Sequence, residues 1–172
     1  GDLQFILLDD RYYRGLEDSI LGDAQEQWLY DELLGTDATF RFLVSGSQWT
    51  TQGSDDSWAQ YPEAQARVLQ YIADNGISGV VLLSGDVHRS EFRLLPGASG
   101  GYDLPELTSS PLATENSPCQ HESEERDCYD SGNSFVLVDV DTSLADPELT
   151  ARILDEDGAI LASWTLTRAE LE

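Results

Sequence analysis

The sequence predicts an α/β fold, with a parallel βαβ first half and antiparallel strands at the C-terminus. Three observations carry that expectation. Apolar strand-like runs alternate with helical segments from residue 3 to residue 84. The run Gly79-Val80-Val81-Leu82-Leu83-Ser84 is apolar or small throughout, as in a strand covered on both faces. Near the C-terminus, Asp157-Gly158 separates two alternating runs and reads as a hairpin turn.

Residues 3–8 form the first strand candidate and lead into Asp9-Asp10-Arg11-Tyr12-Tyr13-Arg14. A helix is expected over 23–34. Asp23 with Glu26 three residues later resembles a capping box, and Gly35 is a suitable stop. Its core-facing set is Ala24, Trp28, Leu29 and Leu33. Residues 39–45 read as the second strand and 46–57 as a loop rich in Gly, Ser and Asp. Pro62 suits the first turn of a helix that ends near Asp74, before Gly76, with Val68, Leu69 and Ile72 inward. The third strand spans 78–84. Short strands follow at 90–95 and 107–110, then a long acidic loop over 113–133. Runs at 135–140, 150–154 and 159–166 close the chain as antiparallel strands. No repeat, low-complexity tract or linker divides it.

With 172 residues the chain is long enough for one domain with a proper core. Its charge is unusual: 33 acidic residues stand against nine arginines and no lysine, a formal net charge of −24. Such a field excludes a nucleic-acid-binding surface and repels anionic membranes. Acidic, lysine-free surfaces fit work in high salt, so a halophilic or marine source is expected. A phosphate ester would be repelled as well, unless metal ions or arginines such as Arg89 and Arg11 make its site locally positive. The chain contains no methionine and begins directly in a strand-like run, so the start reads as a cut, with any targeting signal upstream of Gly1.

Cys119 and Cys128 bracket a polar loop containing His121. One reading is a zinc site using Cys119, His121 and Cys128, although the spacing fits no standard zinc pattern. The other is a disulfide closing a short surface loop, which implies a secreted or periplasmic location.

The third strand ends abruptly in Gly85-Asp86-Val87-His88-Arg89. Ionisable groups are costly to bury unpaired, and in open α/β sheets ligands bind just beyond the carboxyl ends of strands. Asp86 and His88 are two apart, which in extended backbone places them on the same side. A carboxylate oxygen beside an imidazole nitrogen suits a divalent or trivalent metal, and Arg89 offers a planar fork for phosphate oxygens. The pattern points to part of a metal-dependent phosphoesterase site. The competing reading is a structural pair, with His88 held by a backbone carbonyl. A two-metal clamp needs about six to eight protein ligands. The chain has two histidines, so the rest must lie upstream, or the site is vestigial.

Asp9, Asp10 and Arg11 follow a hydrophobic strand too. They read either as rim residues, with one carboxylate near the metals, or as internal ion pairs with Arg11 or Arg14. Trp49, Trp58, Tyr61 and Tyr12 wall a cleft or pack over helix ends. Thr108, Ser109 and Ser110 contact a ligand or simply end a strand. No Gly-x-Ser-x-Gly elbow and no Walker loop is present, which argues against serine hydrolases and nucleoside triphosphatases.

Taken together, Leu7-Leu8-Asp9-Asp10-Arg11-Tyr12-Tyr13-Arg14, Leu21-Gly22-Asp23-Ala24-Gln25-Glu26-Gln27-Trp28-Leu29, Phe42-Leu43-Val44-Ser45-Gly46-Ser47, residues 58–67, Leu82-Leu83-Ser84-Gly85-Asp86-Val87-His88-Arg89 and Glu106-Leu107-Thr108-Ser109-Ser110-Pro111 resemble, in order, the C-terminal part of the PhoD-like alkaline phosphatases. The resemblance implies a calcineurin-like αββα metallophosphoesterase sandwich, of which residues 1–172 are the C-terminal portion of a single domain. It also implies a multinuclear centre of calcium and iron, with zinc or manganese as other candidate ions. The reaction it implies is hydrolysis of phosphate mono- or diesters by a metal-activated water. By the same resemblance, Asp86 and His88 are metal ligands, Arg89 a phosphate-binding candidate and Arg11 a weaker one at the rim. The family's earlier motifs are absent, so an N-terminal polypeptide of the same precursor is the expected partner. The alternative is a non-catalytic binding or structural module derived from that fold.

Overall fold

The computed structural model describes residues 1–15, 19–49, 56–97, 101–120 and 125–172. His121, the third residue of the zinc reading, lies outside them.

Four strands run in parallel through the centre of the molecule: β1 (Leu3–Leu7), β2 (Phe40–Val44), β3 (Val80–Ser84) and β5 (Leu104–Thr108). β4 (Ser90–Leu95) lies antiparallel to β5, and β6 (Glu125–Tyr129) pairs antiparallel with β4, giving the order β1-β2-β3-β5-β4-β6. A separate antiparallel meander follows, of β7 (Ser134–Asp141), β8 (Glu148–Asp155) and β9 (Ile160–Thr167). The β8–β9 turn is made by Gly158 at φ +83°, a conformation that favours glycine.

Two helices cover one face of the six-stranded sheet. α1 (Asp23–Leu34) reaches it where Gln4 Nε2 donates to the Glu32 carbonyl at 3.2 Å. α2 (Pro62–Asp74) reaches it where Gln65 donates to the Trp49 carbonyl. Trp49 and Trp58, both fully buried, stack between α2 and the sheet with centroids 3.8 Å apart. They are packing residues, not cleft walls. The three-stranded sheet packs on the other face, where Phe92 meets Trp164 at 6.0 Å. That sheet shields β4 and β5 but leaves β1 bare: Leu3, Phe5 and Leu7 are 40%, 55% and 67% exposed.

Three local expectations are corrected. α1 has no capping box: Gly22 is the N-cap, and the Glu26 carboxylate turns instead to Arg67 and Tyr30. Of its expected core face only Leu29 and Leu33 are buried, while Ala24 and Trp28 are exposed. The expected acidic loop over 113–133 contains β6, whose main chain pairs with the edge of β4.

Candidate functional site

All four parallel strands end at one edge of the sheet, so the segments after them converge. The strand ladder runs past the strand ends there, through Leu8 N to Val44 O (2.9 Å), Ser45 N to Leu83 O (2.9 Å) and Ser109 N to Ser84 O (3.0 Å). These bonds fix the positions at which each segment leaves the sheet.

The segment after β3 does not continue as extended chain. Asp86 and His88 both have positive φ, +73° and +57°, and Val87 N closes back onto the Gly85 carbonyl. Two nearly adjacent non-glycine residues in the left-handed region cost on the order of 1 kcal/mol each or more. The expectation that extended backbone brings Asp86 and His88 to one side is therefore corrected. A tight turn brings them together, and both line a cavity of about 500 Å³. Val87 between them is buried and anchors the turn.

Asp56, Arg89 and the segment Ser117-Pro118-Cys119-Gln120 complete the cavity wall. Arg11 reaches its rim, with Nη2 3.5 Å from Asp86 Oδ1. The same guanidinium bonds Asp56, which also bonds Arg14. Arg14 in turn lies 3.6 Å from Asp10 Oδ2. A run of alternating charges thus leads from Asp10 inside to Asp86 at the cavity. Asp10 is buried and accepts from Ser45 Oγ (2.9 Å) and Ser47 N (2.8 Å), which makes it part of the scaffold. Gly46 is needed beside it, because a Cβ there would lie 2.9 Å from Asp10 Oδ1. Asp9 is exposed and accepts from the main-chain N–H of Tyr12 and Arg11, which hold its carboxyl below the usual range. It shapes the turn and does not face the cavity.

Arg89 lines the cavity but is only 4% exposed, with Nε and Nη2 bound to the two oxygens of Glu91 at 2.8 and 3.2 Å. Glu91 also takes Arg93 Nε at 2.9 Å and Gln48 Nε2. Burial acts to raise its carboxyl, but Arg89 and Arg93 outweigh burial and hold it below the usual value. Beneath lies Glu106, the cross-strand partner of Arg93. Its Oε1 accepts from Ser84 Oγ (2.7 Å) and Trp49 N (2.8 Å), while Oε2 is buried without a hydrogen-bond partner among the described residues. Burial pushes Glu106 up to about 7, with Glu91 adding to the rise and these two donors and Arg93 opposing it. Thr108 is buried against Ser84 Oγ (2.9 Å) and Gln48 Nε2 (3.0 Å).

Sequence reasoning missed Asp56, the 117–120 wall and the Glu91–Arg93–Glu106–Gln48 network. For the network, the available signal was polar residues at alternate positions of strands that otherwise read as core. A larger cavity, of about 730 Å³, lies by the start of α1 between Tyr13, Tyr30 and the Glu26–Arg67 pair. None of Asp86, His88, Arg89 and Arg11 lines it, and Glu26 and Arg67 there are paired with each other.

The residues also bear on the metal. Asp86 and His88, both exposed to the cavity, supply one oxygen and one nitrogen donor. Among the described residues the close trio of potential ligands is Cys119, Glu125 and Cys128 instead. There the two sulfurs form a disulfide with Cα atoms 6.0 Å apart, which removes both thiolates from metal binding. The Asp86–His88 corner therefore fits part of a metal shell, with further donors needed from elsewhere.

A family model described as PhoD-like phosphatase matches residues 1–135. Alkaline phosphatase D of Bacillus subtilis (strain 168) is 35% identical over 81 residues, a match covering 42% of this chain and 14% of that protein. A solved structure titled "Structure of PhoD" superposes with a TM-score of 0.75 at 21% identity, over 96% of this chain and 40% of its own; this is a likeness of fold. The chain thus matches well under half the length of either relative.

Proposed function

The chain belongs to the PhoD-like phosphatase family, and from that premise we propose that it supplies one side of a metal-dependent phosphoesterase site that hydrolyses phosphate mono- or diesters. The observation that carries this reading is the turn at Asp86 and His88. Two unfavourable backbone conformations are held at the carboxyl edge of a parallel sheet, and both side chains open on one cavity.

Asp86 and His88 would hold the metal, calcium and iron being the ions the family resemblance suggests. A bound metal ion supplies Lewis acidity toward a phosphoryl oxygen and lowers the pKa of water. The chain's own residues supply the rest. Arg11 offers a half-exposed guanidinium at the rim. Arg89 and Arg93, both bound to Glu91, back the cavity with buried guanidinium charge. That guanidinium charge works against the repulsion an anionic ester meets from a molecule of formal charge −24.

The remaining ligands would come from an N-terminal polypeptide that completes a calcineurin-like αββα sandwich, in which this chain is the C-terminal portion. The helix, sheet, sheet layering and the bare apolar face of β1 support that arrangement. The Cys119–Cys128 disulfide supports a secreted or periplasmic location, and the acidic surface supports a high-salt setting.

The test is hydrolysis of p-nitrophenyl phosphate and bis(p-nitrophenyl) phosphate, with metal content, for wild type, Asp86→Asn and His88→Ala, each assembled with the N-terminal polypeptide that supplies the remaining ligands. Loss of bound metal and at least about a 100-fold drop in kcat/KM are expected. Unchanged hydrolysis in both variants would remove Asp86 and His88 from the site.

A further inference from the structure

The cavity wall facing Asp86 and His88 is a stretch of irregular chain, Ser117 to Gln120. It meets the β3 exit at one main-chain bond: Ser117 N donates to the His88 carbonyl at 2.9 Å. His88 is a residue whose left-handed backbone has to be held from outside. Behind the wall, Asn116 Nδ2 donates to the Gly132 carbonyl (2.8 Å) and Cys119 N to Asp130 Oδ2 (2.7 Å), both at half-buried positions where water competes. The one covalent tie is the bond from Cys119 to Cys128 in β6. Cys128 sits opposite Glu91 in the β4–β6 register, and β4 starts directly after Arg89. The disulfide therefore closes a mechanical loop: β3 exit, wall, bridge, β6, β4, and back to the β3 exit.

We propose that the Cys119–Cys128 bridge is a positioning element of this site, holding the 117–120 wall against the Asp86–Arg89 turn so that its reduction loosens the turn and weakens metal binding there. The metal half of this statement rests on the phosphoesterase reading; the mechanical half does not. Reduction breaks the Sγ–Sγ bond with two electrons and two protons taken from a dithiol, which becomes its own disulfide. Both cysteines are half-buried and within reach of such a reagent.

The test is hydrogen–deuterium exchange on oxidised protein, dithiothreitol-reduced protein and the C119S/C128S double variant, with Mn2+ titrations of the first and last, each assembled with the N-terminal polypeptide that supplies the remaining ligands. Removing the bridge should speed exchange at 86–89 and 116–120 at least tenfold while β2 and β3 keep their protection. It should also raise the Mn2+ dissociation constant at least about tenfold, as loss of an outer support of a ligand does. Ser117→Pro removes the N–H that holds His88 while leaving the bridge intact, and should reproduce the faster exchange at 86–89. It serves as well should the double variant not fold. Unchanged exchange at 86–89 on reduction or in Ser117→Pro overturns the proposal. So does a uniform rise across the chain, which would make the bridge a general stabiliser only. Oxidised wild type that binds no Mn2+ even when assembled with the polypeptide supplying the remaining ligands sinks the metal reading instead, and the exchange pattern then still decides the mechanical one.

Discussion

Replacing Glu106 by Gln isolates a single buried proton. Glu106 is fully buried, its Oε1 is satisfied by Trp49 N and Ser84 Oγ, and its Oε2 has no hydrogen-bond partner among the described residues. Burial raises its carboxyl from 4.5 to about 7, so the folded state binds this proton more tightly than the unfolded chain does. The sign follows. The group's contribution is most favourable below the unfolded value of 4.5, is lost as pH rises through about 7, and is flat beyond. At about 1.4 kcal/mol per pH unit the full loss is about 3 kcal/mol, of which about 2 kcal/mol falls between pH 5.5 and 8. A glutamine keeps an oxygen for Trp49 and Ser84 and places an N–H where the proton sits. Urea unfolding followed by tryptophan fluorescence at pH 5.5, 6.5, 7.25 and 8 reads the difference between the two proteins, which cancels the titration of the other carboxylates. Wild type and Glu106→Gln should be within about 1 kcal/mol at pH 5.5, with the variant gaining about 2 kcal/mol relative to wild type by pH 8. Parallel pH dependences would refute the reasoning, because the partnerless oxygen would then hold no proton.

Two further outcomes follow from the same interior and the same surface. Glu91→Gln leaves the Arg89 and Arg93 guanidiniums buried without their shared anion, and should cost about 3–5 kcal/mol in urea unfolding. Lowering NaCl from 1 M to 0.01 M lengthens the Debye screening distance from about 3 to about 30 Å, so the melting temperature should fall by several degrees; no change would dissociate the charge from salt adaptation.

Local chemistry made much of the fold legible. Pro62 fixed the start of α2, the apolar run before Ser84 marked β3, and Asp157-Gly158 marked the β8–β9 turn. β6 was not legible, because Glu125-Arg126-Asp127-Cys128-Tyr129 has neither an apolar run nor a clean alternation. Its pairing comes from the β4 edge and from Arg126 lying over the Trp164 ring at 5.0 Å. On α1, Ala24 and Trp28 fit a helical stripe as well as Leu29 and Leu33 do, and the sheet surface alone decides between them. Asp86, His88 and Arg11 could be placed at a strand exit, since the order of elements puts such exits on one edge. Their actual juxtaposition could not, because it depends on two positive φ angles and on Asp56, brought in from a different loop. The Glu91–Arg93–Glu106 group was hidden for a topological reason: Arg93 meets Glu106 only after β5 inserts between β3 and β4.

The uncovered side of β1 has a colloidal consequence. Among the described residues this strand pairs with β2 alone, so its free backbone edge, beside the exposed apolar face of Leu3, Phe5 and Leu7, is a template for copies of the chain to add to. Mutual repulsion between molecules of charge −24 opposes that encounter. Brine weakens the repulsion between molecules as well as within each one, so conditions that steady the isolated chain also bring it nearer to clumping.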